Sequence, residues 1–394
     1  MSHFFRPADI LLPRRDFERF AVVACDQFTS DRGYWERVRD IVGDVPSALN
    51  LVLPEVYLSD GDTDARLSQI HEKSREYLQS DVFDVARDAF VLTRRTFGSG
   101  IARLGLVGVI DLEAYDYTRR DATIAASEQT VTERLPARIA VRRAQNIETS
   151  HVIALIDDAE RGIIEPLTAL QLPKLYDFTL MEGGGRVEGW RVDGELAESV
   201  ADRVVALRGE TKIVVGDGNH SLAAAKVAWE ECKTTLTDDE KRAHPRRFAL
   251  VELQNVYDGG IAFEPIHRAV FGADFARLSS ELRGALAGDG AYEITVAAGE
   301  DECRFNVRDI TVGEIIETAQ RIIDEMGLPV DYIHGDDEAR ELAKRGAVSV
   351  LLPTMDKRDL FATVRTVGVF PRKSFSIGSA REKRYYLECK ELDH

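Results

Sequence analysis

Short apolar runs and longer stretches of helical spacing alternate along the whole chain. Phe20 to Cys25 reads as a buried strand, followed by the polar loop Asp26-Gln27-Phe28-Thr29-Ser30. Tyr34, Trp35, Val38, Ile41 and Val42 then fall on one face of a helix. Asn50 to Leu58 reads as a strand and Arg66 to Leu78 as a helix. Phe90 to Phe97 and Leu104 to Tyr117 read as strands, the second broken by Gly105 and Gly108. From Arg119 to Arg143 the apolar period fades into a stretch rich in Arg, Glu and Thr. His151 to Ile156 is strand-like, and Gly183-Gly184-Gly185-Arg186 between two apolar runs predicts a hairpin. Leu196, Val200, Val204 and Leu207 mark a helix face stopped by Gly209. Lys212 to Val215 is a short buried strand, Leu222 to Trp229 a helix, and Phe248 to Val256 a strand. Further on, Ile315, Ile316, Ala319, Ile322, Ile323 and Met326 form an amphipathic helix. Val348 to Leu352 is a strand and Leu360, Phe361 and Val364 form a helix face. Strands alternating with helices predict an α/β or α+β fold, with mixed sheets and packed helices.

At 394 residues the chain exceeds one ordinary core. Three regions are expected: 1–118, 119–272 carrying the turn described next, and 273–394. The net charge of −17 argues against nucleic acid and anionic lipid as partners. No apolar run reaches membrane-spanning length, and the first residues lack the pattern of an export signal, so a cytoplasmic protein is expected. Cys25, Cys232, Cys303 and Cys389 stand far apart, with no C-x-x-C pair. They are expected as free thiols, with no zinc, haem, flavin or iron–sulfur signal. Nothing here decides between a monomer and a homo-oligomer.

The strongest chemical motif is the turn Gly216-Asp217-Gly218-Asn219-His220-Ser221, between a buried strand and an Ala-rich helix. Glycines at 216 and 218 permit a tight turn and close approach of a ligand to the backbone. A helix N-terminus offers N–H groups and partial positive charge to a phosphate. Asp217 is a candidate Mg²⁺ ligand and catalytic group, and His220 a candidate phosphate donor or proton shuttle. Gly216, Gly218, Asn219 and Ser221 are candidate ligand contacts. The competing reading is ordinary turn chemistry, with Asp217 or Asn219 as an N-cap. The motif is neither a P-loop nor G-x-G-x-x-G, and no G-x-S-x-G elbow points to Ser-His-Asp catalysis. His151 is expected to be structural.

The turn resembles the D-G-x-H-R turn of the ParB/sulfiredoxin-like superfamily. The chain at nearly full length resembles an uncharacterised bacterial and archaeal family, domain of unknown function 1015. That likeness rests on Phe5-Arg-Pro-Ala-Asp9, Ala24-Cys-Asp-Gln-Phe-Thr-Ser30 and Ser127-Glu-Gln-Thr-Val-Thr-Glu-Arg134 with Arg138 and Arg142. It also rests on Pro265-Ile-His-Arg268 and Phe370-Pro-Arg-Lys-Ser-Phe375. The superfamily resemblance implies a nucleotide-binding core: ParB hydrolyses CTP, sulfiredoxin uses ATP, and an archaeal free-serine kinase transfers phosphate from ADP. Asp217, Gly218 and His220 match its turn, whereas Ser221 stands where Arg, a bidentate phosphate clamp, is usual.

The missing charge is expected from Arg134, Arg138 and Arg142, with Glu128 and Glu133 as candidate general bases or metal ligands. Asp26, Gln27 and Thr29 lie at the carboxyl end of an expected strand, where ligands gather, and are candidate substrate contacts. His267 and Arg268 are candidates for a carboxylate or phosphate, against a solvent-exposed basic pair. The basic clusters Arg372-Lys373-Ser374 and Arg381-Glu-Lys-Arg384 are expected to be solvated surface. Two functions compete. One is a nucleotide-dependent phosphotransferase, using Mg²⁺ with ATP or ADP on a small hydroxyl-bearing metabolite such as serine. The other is a non-catalytic nucleotide- or phosphate-binding regulatory module. A DNA-linked ParB-like role is opposed by the acidic total and the lack of a helix-turn-helix region.

Overall fold

The computed structural model describes residues 3–119, 121–130, 135–366, 368–371 and 373–393. They fold into a mixed α/β architecture of several sheets with packed helices. The chain divides into two compact units. The first takes residues 1–126, 130–261 and 380–394, and the second takes 127–129 and 262–379. The three regions drawn from sequence follow chain order, whereas the first unit is assembled from three separate segments. Pairing between distant strands, invisible to local composition, sets these boundaries.

A thirteen-stranded sheet organises the first unit. Its central order runs Ile124–Ala126, Ile213–Asp217, Ile153–Ile156, Phe248–Asn255, Ala102–Asp111, Phe83–Thr96, Ala8–Pro13 and Cys389–Glu391. Successive residues of a strand point to opposite faces, and the core divides accordingly. Val91, Val107 and Val109 enter one apolar cluster with Trp35, Ile70 and Tyr386. Phe90, Leu92, Leu106 and Ile110 enter another with Val200, Val215 and Trp229.

The strand Ala102–Asp111 runs through both glycines that were expected to break it. Each glycine makes room for a neighbouring side chain. A Cβ on Gly105 would lie 2.0 Å from Glu252 Oε1, and one on Gly108 would lie 2.5 Å from a Phe90 ring carbon.

Other expectations also change. Between Phe20 and Cys25 the structure forms only Val22–Val23 as strand, paired with Tyr385–Tyr386, while Phe20 ends the short helix Phe17–Phe20. Asn50 to Leu58 is not extended. It holds the end of the 3₁₀ turn Ala48–Leu51, capped by the Ser47 hydroxyl, and a second turn Glu55–Tyr57 behind Pro54. A short apolar run alone does not distinguish a strand from a buried turn. The arginine-rich stretch contains the helix Leu135–Ala144.

The second unit has a six-stranded sheet built around Phe263–Phe271. The helix Val312–Glu325 carries the predicted apolar face and a capping box between Thr311 and Glu314. No helix among the described residues is long and apolar enough to cross a membrane.

Candidate functional site

The strand Ile213–Asp217 and the helix Asn219–Cys232 join at Gly218, in the first unit. Gly218 is the N-cap, with φ +79°. A Cβ there would sit 3.0 Å from Val152 Cα and 3.4 Å from His151 Cδ2, so the turn packs directly on the segment carrying His151. Gly218→Ala is expected to cost roughly 1–2 kcal/mol from the left-handed backbone alone. Urea unfolding of the variant against the parent measures this.

Both oxygens of Asp217 are engaged. Oδ1 accepts from the Gly218 N–H at 2.8 Å, and Oδ2 pairs with Lys383 Nζ at 3.0 Å. A carboxylate balanced by a buried lysine does not suit the metal-ligand role expected of it. Among the described residues no group of three or more His, Cys, Asp or Glu side chains is placed to hold a metal ion. Gly216 lies in the strand, while Asn219 and His220 open the helix, Asn219 buried and His220 half-buried.

Ser221, in the first turn of the helix, faces His151, with Oγ 3.3 Å from Nε2. His151 is 6% exposed. Its Nδ1 lies 2.7 Å from the Tyr386 hydroxyl, which donates to Cys25 Sγ at 3.1 Å and accepts from the Cys25 N–H at 3.2 Å. Asp26 Oδ2 is 3.7 Å from His151 Nε2. Burial pushes the Cys25 thiol up to about 12, aided by the nearby Asp26 charge, so it stays protonated. His151, expected to be structural, thus lies against the turn. Its segment reads as a plain apolar strand from sequence, and its partners stand 70 and 235 positions away.

Beside these groups lies a cavity of about 90 Å³. Val52, Leu53, Leu222 and Leu250 form part of its apolar wall, and Arg138, Arg142, His151 and Ser221 contribute polar groups. Arg138 is ion-paired with Glu55. Arg142 pairs with Glu148 at 2.8 Å. The helix Leu135–Ala144 thus places two of the predicted arginines on the cavity that the predicted serine also lines. Arg134 and Glu133 lie outside the described residues, as does Arg372. Gln27 donates to Asp26 Oδ1 at 3.0 Å, and Thr29 is exposed.

A buried ionic network adjoins the relay. Arg384 pairs with Glu252, donates to Glu388 at 2.7 Å and donates through Nε to the Ser150 carbonyl at 2.9 Å. Of the cluster Arg381 to Arg384 expected to be solvated, Arg381 is exposed, whereas Lys383 and Arg384 are buried, contrary to that expectation. The apolar Tyr385-Tyr386-Leu387 run that follows them is the signal that could have placed them inside. All four cysteines are free.

Three other candidates belong to the second unit. Glu128 accepts from the backbone N–H groups of Lys373, Ser374 and Phe375 at 3.2, 2.9 and 3.5 Å. Burial raises its carboxyl above the usual range, against those hydrogen bonds. His267 and Arg268 sit inside the strand Phe263–Phe271 and are 1% and 0% exposed, so the exposed-pair alternative is wrong. His267 Nε2 is 2.9 Å from Asp336 Oδ1, and its Nδ1 accepts from the Leu352 N–H at 3.1 Å. Arg268 donates to Gln320 at 2.7 Å and to the Ile266 carbonyl at 2.6 Å. These contacts tie strand to helix and loop.

Comparison with known proteins gives one family, described as "Protein of unknown function (DUF1015)", matching residues 5–345. No curated protein matches. Solved structures of similar backbone path include SbnI with a C-terminal truncation from Staphylococcus aureus. It is 11% identical, covers 69% of this chain and 83% of its own, and has a TM-score of 0.40. A free serine kinase in complex with AMP is 13% identical over 72% of this chain and 90% of its own, with a TM-score of 0.40. A conserved hypothetical protein from Pyrococcus furiosus is 13% identical over 72% and 94%, with a TM-score of 0.38.

Proposed function

We propose, for a chain that belongs to the DUF1015 family of unknown function, a nucleotide-dependent phosphotransferase acting on a small hydroxyl-bearing metabolite. The observation that carries this reading is the meeting of Ser221 and His151 at the start of the helix Asn219–Cys232, on a cavity that Arg138 and Arg142 also line. The helix start attracts a phosphate through its backbone donors and dipole. The two guanidinium groups add N–H donors on the cavity, their charge shared with Glu55 and Glu148. The imidazole accepts a hydroxyl proton as the new phosphate ester forms. The apolar wall limits water, which would otherwise compete as phosphoryl acceptor. ATP or ADP is the expected donor, with a serine-like metabolite among the acceptors. No step is assigned to Mg²⁺, because Lys383 already balances Asp217.

The same ion pair favours a second reading, a ParB/sulfiredoxin-like module that binds nucleotide without turnover, since its turn carboxylate is internally neutralised. The two separate by experiment. Thermal shift and calorimetric titration with ATP, ADP and CTP, with and without Mg²⁺, should find at least one ligand. At a concentration one hundred times Kd, a ligand adds about 2.7 kcal/mol of stability by mass action. A panel of hydroxyl metabolites followed by ³¹P NMR should then show transfer. Binding without transfer leaves the regulatory module, and absence of affinity for all three nucleotides defeats both readings.

A further inference from the structure

We propose that Ser221 is a covalent nucleophile, activated by His151, that carries the phosphoryl group between donor and acceptor. The identity of the carried group rests on the phosphotransferase reading. The reactivity of the hydroxyl rests on the relay alone.

A serine near a helix start usually returns its hydroxyl to a nearby backbone group. Ser221 instead meets an imidazole 70 positions away in sequence. The hydrogen bonds around that imidazole set its tautomer. The Tyr386 hydroxyl spends its single proton on Cys25 Sγ and accepts from the Cys25 N–H. We assign its contact with His151 Nδ1 at 2.7 Å as one in which Nδ1–H donates, the tautomer that leaves the Tyr386 proton on Cys25 Sγ. With the proton on Nδ1, Nε2 presents its lone pair to the Ser221 hydroxyl. A nucleophile held by a base, with the base oriented by a third group, is the arrangement that nucleophilic serine catalysis uses. Asp26 Oδ2, 3.7 Å from Nε2, faces the positive charge that appears when the proton arrives. Ser221 lines the cavity and is half-buried, so an electrophile can reach it.

In the first step Ser221 Oγ attacks the terminal phosphorus of the nucleotide. An O–P bond forms, the bond from phosphorus to the bridging oxygen breaks, and the shortened nucleotide leaves. The serine proton moves to His151 Nε2 and then to solvent, which accounts for the one proton released by a kinase-type reaction. In the second step the acceptor hydroxyl attacks the phosphoserine. Its proton passes through His151 to Ser221 Oγ, restoring the hydroxyl as the phosphorylated metabolite departs.

The test treats the full chain with a fluorophosphonate probe, in which Ser221 Oγ would displace fluoride from phosphorus, and maps adducts by peptide mass spectrometry. One adduct on Ser221 is expected, absent in Ser221→Ala and formed roughly 10²-fold or more slowly in His151→Gln. Melting temperatures establish that both variants fold. Ser221→Cys, probed with iodoacetamide, is a second variant that should become reactive in the same His151-dependent way. No adduct on Ser221 in the folded parent, or equal rates with and without His151, overturns the nucleophile. A parallel rapid-quench experiment uses the nucleotide that binds. Phosphoserine at residue 221 supports the carrier role, and turnover without it overturns that role. Labelling by the fluorophosphonate without any nucleotide affinity keeps the nucleophile and overturns the phosphotransferase reading, so the two failures are distinguishable.

Discussion

Arg384→Met should destabilise the first unit by about 3–5 kcal/mol at neutral pH, the usual cost of removing one member of a buried ionic cluster. Arg384 is 4% exposed and stands between Glu252, which is 7% exposed, and Glu388, which is 2% exposed. Glu252 also accepts from the Thr93 hydroxyl at 2.9 Å and the Gln254 amide at 3.1 Å, while Glu388 accepts from the Tyr176 hydroxyl. Methionine fills similar volume but leaves two carboxylates in a low-dielectric interior without the guanidinium between them, Arg103 alone remaining to offset Glu252. Burial alone would raise the Glu252 carboxyl. Arg384 and Arg103 outweigh it and hold the group at about 2. Its unfolded value is about 4.3. A folded value below the unfolded one gives stability that is present above about 4.3 and lost as pH falls through about 2. In the variant that contribution is gone, and protonation relieves the stranded carboxylates. The deficit of Arg384→Met should therefore be greatest near pH 7 and shrink as the medium is acidified towards the folded value. Urea-unfolding free energies of both proteins at several pH values test this. A deficit that stays constant with pH would show that lost packing, not lost charge, is responsible.

His151→Ala should lower phosphoryl-transfer turnover by roughly 10²–10⁴-fold, the range that a positioned proton acceptor contributes. Substrate and nucleotide affinity should change far less, because the helix start and the two arginines remain. His151 also packs edge-on against Tyr386, with ring centroids 5.5 Å apart, so the truncation has a structural cost to be measured in parallel. Two readouts separate chemistry from packing. Imidazole added to the assay should restore part of the activity of His151→Ala. His151→Gln, which keeps a polar side chain but does not take a proton at neutral pH, should fold better than the alanine variant yet be equally inactive. Loss of nucleotide affinity in step with activity would assign His151 to binding rather than to proton transfer.

The sequence by itself determined the α/β class and most long elements, because amphipathic period and strand-length apolar runs follow from burial of one face. The helices Arg32–Val42 and Val312–Glu325, the hairpin around Gly183 to Gly185 and the strand–turn–helix at Gly218 were all legible. So was the chemical interest of the turn, since Gly-Asp-Gly-Asn-His-Ser is local in the chain. Tertiary structure decided what Ser221 faces. His151 reaches it from a distant segment, and Asp26 and Tyr386 meet His151 from two others, their apolar or loop-like surroundings hiding these polar contacts. It decided that Arg384 is buried, next to the pairing of Tyr385–Tyr386 with Val22–Val23 and between Glu252 and Glu388. It also decided that Gly105 belongs inside a strand, where the missing Cβ leaves space for Glu252. Local pattern records which face a segment must bury. Which charges, hydroxyls and imidazoles meet depends on contacts between segments far apart in the chain, and those are set only when the sheet assembles.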